Sequence, residues 1–190
     1  MIGRGRSGTV FLARHLGLDE ERAIKRVRRT ESGFIQEAAL LKRLRHPGIP
    51  IIYDLEIDEN YYYLIEEYLC GESLYARIER TGSLQTGELI RLGIELCRIM
   101  NYLHSFKPNP ILYLDLHPGN LLICREQLKL IDFDQAALAS LSQERSVCYG
   151  TKGFAAPEQY EGGTLDERTD IYAIGALLYY MGTGLSLIHI

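Results

Sequence analysis

Two short stretches carry residues whose types and spacing could do chemistry: "YLDLHPGN" (Tyr113 to Asn120) and "LIDFD" (Leu130 to Asp134). Transfer of a phosphoryl group needs a carboxylate to orient the attacking hydroxyl and accept its proton. It also needs oxygen ligands for the magnesium that neutralises the phosphates. Asp115 suits the first task. Asn120 and Asp132, hard oxygen donors expected at the ends of adjacent strands, suit the second.

Upstream, "GRGRSGTV" (Gly3 to Val10) is a GxGxxGxV pattern. Positions without side chains let a hairpin backbone approach phosphate oxygens and donate N–H groups to them. By itself the pattern is weak, since glycines often mark turns. "AIK" follows on the next predicted strand and brings Lys25 beneath that loop. Glu37, on the helix after it, shares a face with Leu41, and an unpaired carboxylate on a buried face is expensive. Lys25 is the available cation, and the pair would hold an ammonium against phosphates.

These residues need a frame. "GTVFLARHLG" and "RAIKRVRR", separated by "LGLDEE", predict a β-hairpin. "ESGFIQEAALLKRLRH" predicts a helix with Ile35, Ala38, Leu41 and Leu44 on its apolar face, stopped by "HPGIP". "IPIIYDLEID" and "NYYYLIEEYL" predict a second hairpin about Glu59-Asn60, with the three tyrosines alternating between sheet faces. After "CGESL" the character changes. "TGELIRLGIELCRIMNYLHSF" predicts a long helix capped at Thr86, with Leu89, Leu92, Leu96, Ile99 and Leu103 along one side. Short strands follow at "ILYLD", "NLLIC" and "LKLIDF", then a polar loop and a last helix.

The bulk composition is that of an ordinary soluble domain: 190 residues, 46% hydrophobic, 24% charged and a net charge of -4. That balance gives no reason to expect nucleic acid or an anionic membrane as partner. The basic runs "KRVRR" and "KRLRH" are short and suit solvated faces. Cys70, Cys97, Cys124 and Cys148 form no CxxC pair, which argues against zinc and against a disulfide framework and points to thiols in a reducing cytosol. "MIGRGRSG" has no apolar core for a signal peptide. Ile171 to Ile190 lacks Asp, Glu, Lys and Arg and is long enough to cross a membrane. Its glycines, its tyrosines and the helix start at "DERTDIY" favour a helix buried on all sides of a globular core instead.

Taken together, from Ile2 to Gly184, the motif set resembles the protein kinase superfamily. The resemblance implies an α+β, two-lobed fold with a strand-rich N-lobe (1–68) and a partial helical C-lobe (69–184), with ATP between the lobes and Mg²⁺ at the site. It gives Asp115 the role of catalytic base and Lys25 that of the strand lysine paired to Glu37. Asn120 and Asp132 become the metal ligands. Ile2, Gly3, Gly5 and Gly8 would bind nucleotide, Val10, Ala23 and Leu122 would sandwich adenine, and Glu67 and Leu69 would offer it backbone hydrogen bonds. Asp170 would anchor the catalytic-loop backbone.

"DLHPGN" with "IDFD" is also similar to small-molecule phosphotransferases, but "GTKGFAAPEQY" (Gly150 to Tyr160) resembles the segment with which Ser/Thr kinases bind a substrate peptide. Pro118 and Thr151 agree with Ser/Thr specificity, and "GFAAPEQY" has a bacterial flavour. The expected activity is therefore phosphorylation of Ser/Thr in a protein substrate, in the cytoplasm. A nucleotide-binding pseudokinase scaffold and a small-molecule phosphotransferase are the alternatives. Several positions depart from the family pattern. His117 stands where lysine is usual, and its partial charge predicts reduced activity that improves as pH falls from about 8 towards 6.5. Leu114 replaces an arginine that pairs with a phosphorylated loop, predicting activity without a phosphorylation switch through Ser142 or Ser146. Asp134 stands at a usual glycine, Tyr113 at a usual histidine and Glu66 at the back of the ATP pocket.

The resemblance further implies a chain incomplete at both ends. Glu158 would then lack its arginine partner and stand unpaired or exposed, and Ile174, Leu177 and Leu178 would lose cover, leaving a sticky patch. The ending "LSLIHI" is what CTG-TCT-CTT-ATA-CAC-ATC encodes and resembles a transposon-end sequencing adapter. Leu185 to Ile190 are therefore expected to be a non-native tail.

Overall fold

The alternating residues after the glycine-rich segment form the first hairpin, in which β2 (Thr9–His15) pairs antiparallel with β3 (Glu20–Arg28). This computed structural model describes residues 1–4, 8–29, 34–142 and 150–189, so Ser146 and Cys148 lie outside the described residues. A short edge strand, β1 (Gly3–Arg4), adds to β2, and the second hairpin, β4 (Ile52–Ile57) with β5 (Tyr61–Glu67), adds to β3. The order is β1-β2-β3-β5-β4. On β3 the period of two turns Ala23, Lys25 and Val27 inward. The tyrosines alternate as expected. Tyr61 and Tyr63 share a face with ring centroids 6.3 Å apart, and Arg26 stacks over Tyr61 while Arg29 stacks over Tyr62.

The helix α1 (Phe34–Leu41) is shorter than the sequence suggests. The N–H groups of Arg43 and Leu44 bond the carbonyls three residues back, at Leu40 and Leu41, so the chain tightens into turns before "HPGIP". Ala38, Leu41 and Leu44 are buried as expected, joined by Leu40, but Ile35 is half in solvent.

The chain divides into two units, Met1–Cys70 and Gly71–Ile190. Position 71, where the second begins, takes glycine because a Cβ there would lie 2.5 Å from the Ile123 carbonyl oxygen. β6 (Glu72–Ser73), β8 (Leu121–Cys124) and β9 (Gln127–Leu130) make one small sheet. β7 (Ile111–Leu112) and β10 (Ala137–Leu138) make another. Ser73 caps α2 (Leu74–Thr81), its Oγ accepting the Ala76 N–H. The long helix α3 (Thr86–His104) begins one residue earlier than expected. Gln85, not Thr86, is the N-cap, and no side chain caps it. The short helices α4 (Ala139–Ser142) and α5 (Pro157–Glu161) precede α6 (Glu167–Thr183), whose N-cap Asp166 accepts the Arg168 N–H.

The core of the second unit joins Leu92, Leu96, Ile99 and Leu103 of α3 with Ala173, Leu177 and Met181 of α6, all nearly or fully buried. Each fully buried leucine or isoleucine contributes about 1.5–3 kcal/mol. The expectation of a helix buried on all sides needs correction, since Ile171, Tyr172 and Tyr179 of α6 face solvent. The expected sticky patch is likewise displaced: Ile174 and Leu177 are buried, and only Leu178 is partly open, lining a shallow groove with Leu89, Gly93 and Ile94 of α3. Among the described residues no helix is long and apolar enough to cross a membrane.

Candidate active site

In the first unit, the strand pairing brings the proposed nucleotide-binding residues of β2 and β3 side by side. Val10 lies opposite Lys25 and also opposite Gly3, while Ala23 lies between Leu12 and Glu66. Lys25 and Ala23 are each 7% exposed. The Ile2 N–H bonds the Val10 carbonyl at 2.9 Å, extending the β1–β2 pairing by one residue. Gly8 is required by close approach, because a Cβ would sit 2.4 Å from the Arg26 carbonyl oxygen and 2.9 Å from Val27 Cγ2. Gly5 lies outside the described residues, as does the side chain of Glu37, although its backbone belongs to α1. Glu67 donates its N–H to the Ile51 carbonyl at 2.8 Å. That N–H is therefore taken up within the first unit and is not available for the backbone bond to adenine that the resemblance implies. Leu69, in the extended link after β5, is half-buried.

In the second unit the loop that carries Asp115 is built around a wholly buried carboxylate. Asp170 Oδ2 accepts the Tyr113 N–H and Oδ1 accepts the Leu114 N–H, both at 2.9 Å, and His104 Nε2 lies 2.9 Å from Oδ2. Hydrogen bonds to a charged group contribute about 1.5–3 kcal/mol each, enough to hold an unusual backbone. Leu114 has φ +66°, a left-handed conformation that costs a branched side chain about 1–2 kcal/mol. Its side chain is buried in a cluster with Leu112 and Leu165, which accounts for an apolar residue at this position. Its carbonyl accepts from Gln159 Nε2 at 2.8 Å.

Asp115, the next residue, accepts the Thr151 hydroxyl at Oδ1 (2.8 Å). His117 Nε2 stands 3.9 Å from the other oxygen, and His117 Nδ1 accepts the Gly119 N–H at 3.1 Å. Burial pushes the His117 pKa below the ordinary imidazole value, against the opposing pull of Asp115 and Asp132. The partial charge expected from the sequence is therefore reduced rather than increased.

The proposed metal ligands share one frame. Asn120 closes a 3-10 turn (Pro118–Asn120), leads into β8, and donates from Nδ2 to the Asp115 carbonyl at 3.1 Å. Its own carbonyl accepts the Ile131 N–H at 2.9 Å, which ties it to the residue before Asp132. Asp132 has φ +60° and is exposed. Tyr113 underpins it. The ring packs edge-on against Phe133 with centroids 5.2 Å apart, and the hydroxyl shares its proton between the carbonyls of Ile131 (2.6 Å) and Asp132 (3.0 Å). Burial holds the Tyr113 pKa well above its ordinary value, so the hydroxyl stays a donor. An amide oxygen and an exposed carboxylate at neighbouring strand ends are a donor set that suits a hard divalent cation. Leu122, on β8 between Ser73 and Lys129, is half-buried.

A further expectation changes. Glu158 is not without a partner, because its Oε1 accepts the Thr169 hydroxyl at 2.8 Å. Glu66 and Asp134, both departures from the family pattern, are half-buried, and each has an interaction partner. Sequence reasoning also missed His104 and Gln159. The first carries only the signal of a basic residue in a last helical turn, and the second carries none.

A family model described as "Protein kinase domain" matches residues 1–189. Serine/threonine-protein kinase pkn3 of Myxococcus xanthus is 30% identical over 97% of this chain and 37% of its own length. Serine/threonine-protein kinase PrkC of Bacillus subtilis is 34% identical over 97% of this chain and 30% of its own length. Aurora kinase B of Danio rerio is 30% identical over 94% of this chain and 57% of its own length. The chain thus spans about a third of the length of the two bacterial relatives. With the family model covering nearly every residue, the chain belongs to the protein kinase domain family.

Proposed function

We propose that this domain transfers the γ-phosphoryl group of ATP to serine or threonine hydroxyls of a protein. The observation that supports it most is the frame shared by Asp115, Asn120 and Asp132, since phosphoryl transfer is catalysed chiefly by positioning and electrostatics. Asp115 orients the acceptor hydroxyl and takes its proton as the new O–P bond forms and ADP leaves. Asn120 and Asp132 hold Mg²⁺, which when bound neutralises phosphate charge. Thr151, already bonded to Asp115, marks where the acceptor hydroxyl arrives. Lys25 and the backbone around Gly3, Gly5 and Gly8 serve the phosphates, with Glu37 as the lysine's partner. Ile2, Val10, Ala23, Glu67, Leu69 and Leu122 serve the rest of the nucleotide.

The test is turnover of Mg-ATP with a generic basic protein, with an aminoglycoside, and with neither. Phosphate appearing on serine or threonine of the protein supports the proposal. Transfer to the aminoglycoside alone, or nucleotide binding without any turnover, would refute it.

A further inference from the structure

Gln159 is 4% exposed and both ends of its side-chain amide are engaged. Nε2 donates to the Leu114 carbonyl at 2.8 Å, across 45 residues of sequence, while Oε1 accepts the Ala156 N–H at 3.1 Å. Gly150 lies directly over this amide. A Cβ at Gly150 would be 2.9 Å from Nε2 and 2.2 Å from the Ala155 Cβ.

Two of the residues around this amide have a common property. Leu114 immediately precedes Asp115, and Gly150 immediately precedes Thr151, the pair joined by the 2.8 Å hydroxyl–carboxylate bond. Leu114 is also the residue with φ +66°, and its two peptide groups are held by two buried side chains, the N–H by Asp170 and the carbonyl by Gln159. A strained backbone persists only where its surroundings over-determine it. We infer that Gln159 is a positioning residue: its amide bonds the Leu114 carbonyl and the Ala156 N–H, ties the Leu114 peptide to the 150–156 segment, and so sets where Asp115 meets an incoming hydroxyl.

A glutamine that merely satisfies buried polar groups would affect stability alone. A positioning residue affects transfer to the acceptor hydroxyl and leaves nucleotide affinity in place. This inference rests on the proposed phosphoryl transfer, so the experiment separates the two.

Q159E keeps the acceptor for Ala156 but sets a carboxylate against the Leu114 carbonyl, and Q159M removes both bonds at similar length. With a basic protein as acceptor, kcat is expected to fall on the order of 10- to 100-fold in both, with KM for ATP within about twofold of wild type. Amide hydrogen exchange at residues 113–116 and 150–156 should rise together. In the wild type, the Gln159 carboxamide protons should exchange more slowly than those of a solvated glutamine, a readout that needs neither a variant nor turnover. Carboxamide protons exchanging at the solvated rate would overturn the inference, even if both variants fail to fold. A wild type with no transfer activity sinks the phosphoryl-transfer reading, whereas an active wild type matched in kcat by both variants sinks this inference alone.

Discussion

The Thr151 hydroxyl donates to Asp115 Oδ1 at 2.8 Å, joining the segment after residue 149 to the 113–120 loop through the one carboxylate proposed to act as base. That carboxylate owes its place to its neighbours. Asp170 holds the two peptide N–H groups before it, Asn120 bonds its carbonyl, and His117 stands at its second oxygen.

Asp170→Ala removes the acceptor from two peptide N–H groups and from His104 at once. Leaving buried donors without partners costs about 1–3 kcal/mol each, so the domain should lose on the order of 2–5 kcal/mol of stability. Urea unfolding reads this as a lower midpoint. A loss under about 1 kcal/mol would show that the carboxylate is not the anchor of the loop.

Gly8→Ala places a methyl group 2.4 Å from the Arg26 carbonyl oxygen, a backbone atom that cannot swing aside. The expected result is a KM for ATP raised several-fold, with a stability loss on the order of 1–3 kcal/mol. Nucleotide titration and thermal unfolding of the variant check both. Wild-type affinity and stability would mean that this backbone approach is not maintained.

Burial lowers the His117 pKa below the ordinary imidazole value, against the pull of Asp115 and Asp132, so its cation forms at lower pH than that of a solvated imidazole. Any rise in turnover from this group should therefore be weaker between about pH 8 and 6.5 than the sequence alone suggests, with more of the gain at lower pH. His117→Lys supplies a permanent cation beside Asp115 and should raise kcat several-fold at about pH 7.5. A rate that climbs steadily from pH 8 to 6.5 in the wild type, and is lost in the lysine variant, would show that the imidazole titrates in the ordinary range.

Much of this architecture was legible in the residues because it depends on local period. The two hairpins of the first unit follow from alternation, and the buried stripe Leu92, Leu96, Ile99 and Leu103 follows from helical spacing. Boundaries were less legible. The turns after Leu41 and the N-cap at Gln85 are set by packing and by hydrogen bonds that no periodicity encodes. In the site, Asp115, Asn120 and Asp132 could be named because metal and proton chemistry restrict the residue types. Their supports could not. Gln159 reaches 45 residues back, and Glu158 finds Thr169 eleven residues on, with nothing in either neighbourhood to announce it. The open face of α6, with Ile171 and Tyr172, reads in sequence like buried core because apolar type alone does not fix a side.

The most direct measurement is transfer of labelled γ-phosphate from Mg-ATP to a basic protein by the wild type and by Asp115→Asn, compared at matched thermal stability. Loss of the proton acceptor should lower kcat by about 10²–10⁴-fold, with ATP binding retained. A D115N variant that stays folded and turns over at the wild-type rate would contradict the account.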